Sequence, residues 1–185
     1  MLFEGGPIDA AETPGSRFNE TALSAVTITG GDFRKVRWHE VWLGRSRVIG
    51  ADFTESDWRD VGVLGCSLAG VAIPGATMRR VTFEDCKIDS LNLRGSMLRE
   101  VVFDRCQLTD VDLADATLID VTFPGCTISR LRFNATKLTR VDFRKAAALD
   151  VTGDVVSLRG AEIDAGQLME LAPALAAGLG IVVTP

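Results

Sequence analysis

The residues of this sequence best equipped for chemistry are its four cysteines, Cys66, Cys86, Cys106 and Cys126. Thiolates ligate metals, attack electrophiles and pair as disulfides. Each of those roles needs sulfurs that converge on one point. These four instead lie twenty residues apart, one after another, which is not the short spacing of a metal site. His39 is the single histidine, and no cysteine or carboxylate cluster sits at ligand spacing from it. It reads as a surface residue. The sequence contains no nucleophile motif and no glycine-rich phosphate loop. It therefore implies no enzyme, no metal and no cofactor. Two charged sets remain as candidate partner contacts. Residues 100–120 carry Glu100, Asp104, Asp110, Asp112, Asp115 and Asp120 against Arg105 alone. Arg59, Arg79 and Arg99 again lie twenty apart. They either pair with Asp57, Asp60 and Glu100 or await an anionic partner.

The elements that must position these residues follow from a shorter period. From Phe18 to Phe143 every fifth residue is apolar, over 26 consecutive positions. At 46% apolar content chance gives such a run about once in a billion trials. All nine phenylalanines keep the register. Two residues before each of these centres lies a small uncharged side chain, from Ser16 to Ala146. Each unit thus points in, out, in, out, out. The first three residues alternate like a short extended strand. The last two must turn a corner, and glycine at Gly30, Gly50, Gly65, Gly70, Gly75, Gly95 and Gly125 suits a corner with positive φ. A period of five cannot hold one face of an α-helix. No alternation is long enough for an ordinary sheet.

Four corners close one coil of about 20 residues, so residues twenty apart become vertical neighbours about 4.8 Å apart. The cysteines are then an inward packing column, continued by Ser46. Phe83, Phe103, Phe123 and Phe143 form a second inward ladder. Outside, Asp60 meets Arg80, Asp85 meets Arg105, Asp110 meets Arg130, Asp112 meets Arg132 and Asp120 meets Arg140. Opposite charges in register argue for the same winding. Trp42 falls on an outward position, near Leu64 and Val102. It is either a partner contact or covered by the N-terminal segment.

The units ADFTE (51–55), LNLRG (91–95), VDLAD (111–115) and VDFRK (141–145) resemble the pentapeptide-repeat family, whose motif is A(D/N)LXX. The resemblance covers residues 16–147 without interruption. It implies an all-β solenoid, a right-handed quadrilateral β-helix, ending in a short C-terminal helical cap. Within the family the chain looks most like actinobacterial members that confer fluoroquinolone resistance. The resemblance implies a protein that mimics duplex DNA, binds DNA gyrase or another topoisomerase, and dimerises through its C-terminus. The alternative is a structural scaffold with a different protein target.

The chain divides into 1–15, an N-terminal cap or degenerate coil; 16–163, the β-helix; and 164–185, a helix and short strand. Asp164 with Gln167 has the form of a capping box. Pro173 should kink or break the helix, and Gly178 should stop it. Leu168, Leu171, Ile181 and Val182 are the expected dimer contacts. The net charge of −5 gives no general reason for direct nucleic-acid binding. No apolar run reaches membrane-span length. The first residues lack a basic start and a long apolar stretch, so no signal peptide is expected. Four cysteines at this length do not make a disulfide scaffold, and a reducing cytoplasm is the expected compartment.

Overall fold

The computed structural model describes residues 2–9 and 11–183. Met1, Ala10, Thr184 and Pro185, which belong to the two terminal segments, lie outside the described residues. The backbone forms one sheet of parallel strands wound into about eight coils and closed by a C-terminal helix. Partner residues differ by twenty along nearly the whole length. Examples are Trp38 with Trp58, Phe83 with Phe103, and Leu118 with Leu138.

The corner explains the period. Every residue whose number is a multiple of five, from Gly15 to Arg140, has positive φ. Eight of these are glycine and eighteen are not. A left-handed backbone costs an L-residue about 1–2 kcal/mol. It is tolerated because each corner amide finds a carbonyl one coil away. Lys35 donates to Thr54 at 2.8 Å, Arg45 to Leu64 at 2.8 Å and Asp115 to Asn134 at 2.8 Å. The Asp or Asn of the repeat motif assists locally. Asp32, Asp52, Asn92, Asp112 and Asp142 accept the amide two residues on, at 2.9 to 3.0 Å.

Four walls enclose the core. The first stacks Leu23, Leu43, Val63 and then Phe83, Phe103, Phe123 and Phe143. The second stacks Ile28 to Ile128, the third Phe33 to Phe133, and the fourth Phe18 to Leu138. Of all 26 centres only Phe18 escapes full burial. Phenylalanine centroids on the first wall are 4.8, 5.2 and 4.7 Å apart, with planes within 9°. These spacings match the rise from coil to coil.

The small column satisfies the backbone from inside. All four cysteines are free and buried, and their sulfurs climb one edge of the second wall. Cys66, Cys86, Cys106 and Cys126 donate to the carbonyls of Leu43, Val63, Phe83 and Phe103 on the coil before, at 3.1 to 3.4 Å. Ser46, Ser96 and Thr136 hold similar positions, and Ser96 donates to Ile73 at 2.8 Å. Ser56 serves differently, accepting from Trp58 Nε1 at 2.9 Å. Trp38 has Val36 in that place, and its buried Nε1 has no partner.

Both ends depart from the plain repeat. Strand β1 (Leu2–Asp9) pairs with β2 (Arg17–Thr29) at the same offset of twenty, and Glu12 bridges Asp32. Residues 2–9 and 11–15 therefore belong to a first coil. No described residue lies above it, and Leu2 and Phe3 stay 66% and 44% exposed. At the other end the offset slips to twenty-one, pairing Ile128 with Leu149, and returns to twenty at Leu131 with Val151. Leu149 thereby takes the inward place that Ala148 would hold. A 3₁₀ turn (Val155–Leu158) leads to helix α1 (Ala165–Gly178).

The capping box forms, with Gln167 N donating to Asp164 Oδ1 at 2.9 Å and Asp164 N to Gln167 Oε1 at 3.1 Å. Gln167 also donates from Nε2 to the Phe143 carbonyl at 2.7 Å, tying the helix to the last full coil. A break at Pro173 is corrected, since the helix continues through it. The helix ends at Gly178, as expected, and Leu179 caps it. Gly180, whose φ is +71°, takes the turn beyond, with Ile181 donating to Ala176 and Gly180 to Ala177. Gly178 also lets the helix approach Val155, where a Cβ would come within 2.4 Å. The expected last strand is corrected as well. Residues 181–183 form no strand.

Truncating Phe103 to Ala should cost about 3–5 kcal/mol by removing the middle of the ring stack. Thr109→Ala, on the outside of the second wall, should be near neutral. Urea unfolding monitored by circular dichroism measures both. Equal losses would contradict the wall assignment.

Candidate interaction surfaces

One coil is twenty residues, so the acidic run 100–120 is a hoop and not a patch. Asp110 lies at the corner between the second and third walls. Asp112 is on the third wall, and Asp115 is at its far corner. Asp104 is on the first wall, and Asp120 at the corner between the fourth and first. Each has an arginine. Asp110 accepts from Arg130 at 2.6 Å, Asp120 from Arg140 at 2.5 Å and Asp104 from Arg105 at 2.5 Å. Asp112 meets Arg132 at 3.2 Å and Arg94 at 3.3 Å, and Asp115 meets Arg94 at 3.5 Å. Asp60 with Arg80 and Asp85 with Arg105 complete the axial pairs.

These contacts reshape the acidity of the carboxyls. A side-chain hydrogen bond from arginine holds Asp60, Asp85, Asp110 and Asp120 below the ordinary carboxylate range. Arg34 does the same to Asp32, chiefly through its side-chain hydrogen bond, and takes it down to about 2. The Cys66 and Cys106 thiols are pushed up, first by hydrogen bonding to the next thiol in the column and then by burial. They are packing groups, with no cation beside them to favour a thiolate. His39 sits on the fourth wall, with Nε2 3.6 Å from Asp57. Among the described residues no group of three or more His, Cys, Asp or Glu could hold a metal ion.

Trp42 lies on the first wall and is 37% exposed. Its indole rests along Gly44, where a Cβ would fall 2.1 Å from the ring, and its Cδ1 lies 3.3 Å from where Gly62 would carry one. Glycine makes the shallow seat that leaves this ring on the outside. Val102 and Leu64, both part-buried, continue the same face. One rim of this wall is the corner file Glu20, Glu40, Asp60, Arg80, Glu100, Asp120 and Arg140. The wall therefore brings Trp42, Asp104 and Asp120 to one side, and leaves Asp110, Asp112 and Asp115 elsewhere. Writing the sequence in rows of twenty shows that grouping, which reading it as a linear charge run does not.

The C-terminal segment divides in the same way. Leu171 is buried at 4% and belongs to the core, so it closes the barrel and is not free for a second copy. Leu168, Ile181 and Val182 are 48%, 56% and 84% exposed, and Met169, Leu179 and Val183 join them. No helix among the described residues is long and apolar enough to cross a membrane.

The family pattern described as a pentapeptide repeat region matches residues 56–128, which span the cysteine column and most of the ring stack. That stretch is a pentapeptide repeat region. Solved structures carry the likeness of the fold over the whole length of the chain. A trypsin-treated variant of QnrB1, a plasmid-mediated fluoroquinolone resistance protein, matches with TM-score 0.55 at 18% identity, covering 98% of this chain and 99% of that one. A second trypsin-treated QnrB1 variant gives 0.52 at 15% identity, covering 100% of both. HetL, a pentapeptide repeat protein involved in heterocyst differentiation regulation in the cyanobacterium Nostoc, gives 0.53 at 12% identity, covering 90% of each. At these identities the likeness establishes the fold. None of the curated proteins matches this sequence.

The depressed carboxyls set an acid limit. Their folded pKa values lie below the unfolded value of about 4. Their contribution is fully present above that pH and is lost as pH falls from about 4 towards about 2, where Asp32 protonates. Thermal melts should be flat between about pH 7 and pH 5 and decline steeply below about pH 4. A decline that begins near pH 6 would contradict this account.

Proposed function

We propose that this protein is a non-enzymatic interaction rod that binds a type II topoisomerase, DNA gyrase first among the candidates, through its first wall. The observation that carries this reading is the exposed Trp42 on a glycine seat, beside an axial file of five carboxylates and two arginines. An aromatic anchor inside a charged rim is the composition of a protein interface. The likeness of the fold to a fluoroquinolone resistance protein directs the choice of target. The coils from 16 to 165 span about 36 Å at strand spacing. A duplex that long carries roughly 21 phosphates.

Mimicry of duplex DNA is then local to this side. Residues 16–165 hold 21 acidic and 20 basic side chains, and arginine pairs with Asp60, Asp104 and Asp120 on this side as it does with Asp110 and Asp112 elsewhere. That near balance favours a second reading, a scaffold for a protein other than a topoisomerase. A second copy of the chain covers the exposed apolar set at the C-terminus, making a homodimer. Activity on gyrase places the protein in the cytoplasm, where buried unpaired cysteines remain reduced.

Wild-type protein at micromolar concentration should alter gyrase supercoiling, with or without a fluoroquinolone. Trp42→Ala combined with Glu40→Lys should abolish most of the effect, and Asp110→Lys with Asp115→Lys should not. Inactivity of the wild type, or equal loss in both variants, rejects the reading. Light scattering tests the dimer. The mass should be twice that of the chain, and Ile181→Asp with Val182→Asp should return it to one.

A further inference from the structure

We propose that the fourth wall is a second docking surface, which binds an acidic helix of a partner protein along a ladder of arginines. Arg59, Arg79 and Arg99 stand in direct register on three successive coils. Arg17 and Arg37 face one another in the same way nearer the N-terminus. Like charges directly opposite on neighbouring strands destabilise a sheet. Elsewhere every arginine in axial register with a charged residue meets an aspartate, as at Asp60–Arg80, Asp85–Arg105, Asp110–Arg130, Asp112–Arg132 and Asp120–Arg140, while carboxylates face carboxylates at Glu84–Asp104 and Asp32–Asp52. Among the described residues the fourth wall is the one face that sets cation over cation, three coils running. A local rule broken without internal compensation marks a functional surface.

Compensation is incomplete on this wall. Arg59 reaches Asp57 at 3.0 Å, and Arg99 approaches Glu100 at 3.5 Å. Arg79, Arg37 and Arg17 form no ion pair among the described residues. All of them are exposed. Met97, 49% exposed, stands two residues before Arg99 on the same face, and Ile119 follows Arg99 in register. The ladder therefore ends on an apolar footing.

The shape of the wall selects the occupant. Its flat outer strip is about three residues, or 10 Å, wide. That accommodates a single α-helix, about 10–12 Å across. Successive turns of a helix rise 5.4 Å and successive coils about 4.8 Å, so carboxylates at i, i+4 and i+7 stay within about 1 Å of three stacked arginines. Guanidinium forks bind carboxylates in two-point contacts. The wall offers no exposed aromatic ring for stacking nucleic-acid bases. A duplex laid along the ladder would also carry its second phosphate row over the corner file of Glu40, Asp60 and Glu100.

The test uses a fluorescent helical peptide with glutamates at i, i+4, i+7 and i+11 and leucine near one end, titrated with full-length protein at low and physiological salt. The wild type should bind it, more weakly as salt rises. The triple variant R59Q/R79Q/R99Q should lose at least about tenfold in affinity. Arg80→Gln, on the neighbouring corner, should leave affinity unchanged. Absence of binding to wild type, or equal binding by the triple variant, overturns the proposal. Tighter binding of a duplex than of the peptide overturns the choice of occupant. Thermal melting gives an independent reading. Arg79→Gln should hold or raise the melting temperature, because a repelling charge is removed; a fall would make the ladder structural and overturn its premise. The supercoiling assay reads the first wall and this titration the fourth, so either can fail alone.

Discussion

The structure depends on one constraint. At each corner from Gly15 to Arg140 the chain adopts a left-handed backbone, and the amide there meets a carbonyl of the next coil, usually nineteen residues on. Lys35 and Thr54 are one instance, and Arg105 and Pro124, at 2.8 Å, are another. Neither half works alone. A left-handed non-glycine residue is strained, and an unpaired amide in a packed corner is costly. Together they lock five residues to each bend. Ring stacking, the thiol column and axial ion pairs then follow, because every side chain is delivered directly over its equivalent.

That dependence explains which features were legible. The inward ladders were readable because burial acts on residue type: a charged side chain at Phe83 or Ile88 would have no partner inside. The axial ion pairs were readable for the same geometric reason. The corner conformation was only half readable. Glycine at Gly65 and Gly70 pointed to it, yet Glu55, Asp60 and Arg80 adopt it as well, because tertiary hydrogen bonding overrides local preference. The helix stop at Gly178 was readable, but not that Gly178 also packs against Val155 while Gly180 takes the left-handed turn beyond. Two glycines with different duties look alike in a sequence.

Function was legible to a lesser degree, since it rests on outward residues whose identities the fold does not constrain. Trp42 stood out by type. Its neighbours could be grouped only once the coil length had been applied to charge as well as to apolar residues. Asp110 and Asp120 are ten residues apart and sit at opposite corners. Glu40 and Glu100 are sixty apart and share one edge. The rod is electrostatically sided, with an acidic edge beside Trp42 and an arginine wall next to it, although its summed charge is close to neutral. Partner choice on such a body is set by face, and bulk charge says little about it.

The two ends of the rod differ, and this asymmetry gives the molecule a direction. Gln167 anchors the helix to the Phe143 carbonyl at one extremity, whereas Leu2 and Phe3 sit on a bare rim at the other. In a body where each layer touches only its neighbours, loosening begins where a layer has a single neighbour. Among the described layers, the coil that holds Leu2 and Phe3 should therefore loosen before the helix-covered one. During synthesis that coil precedes the lid, so the layers can assemble in order upon it before the lid arrives.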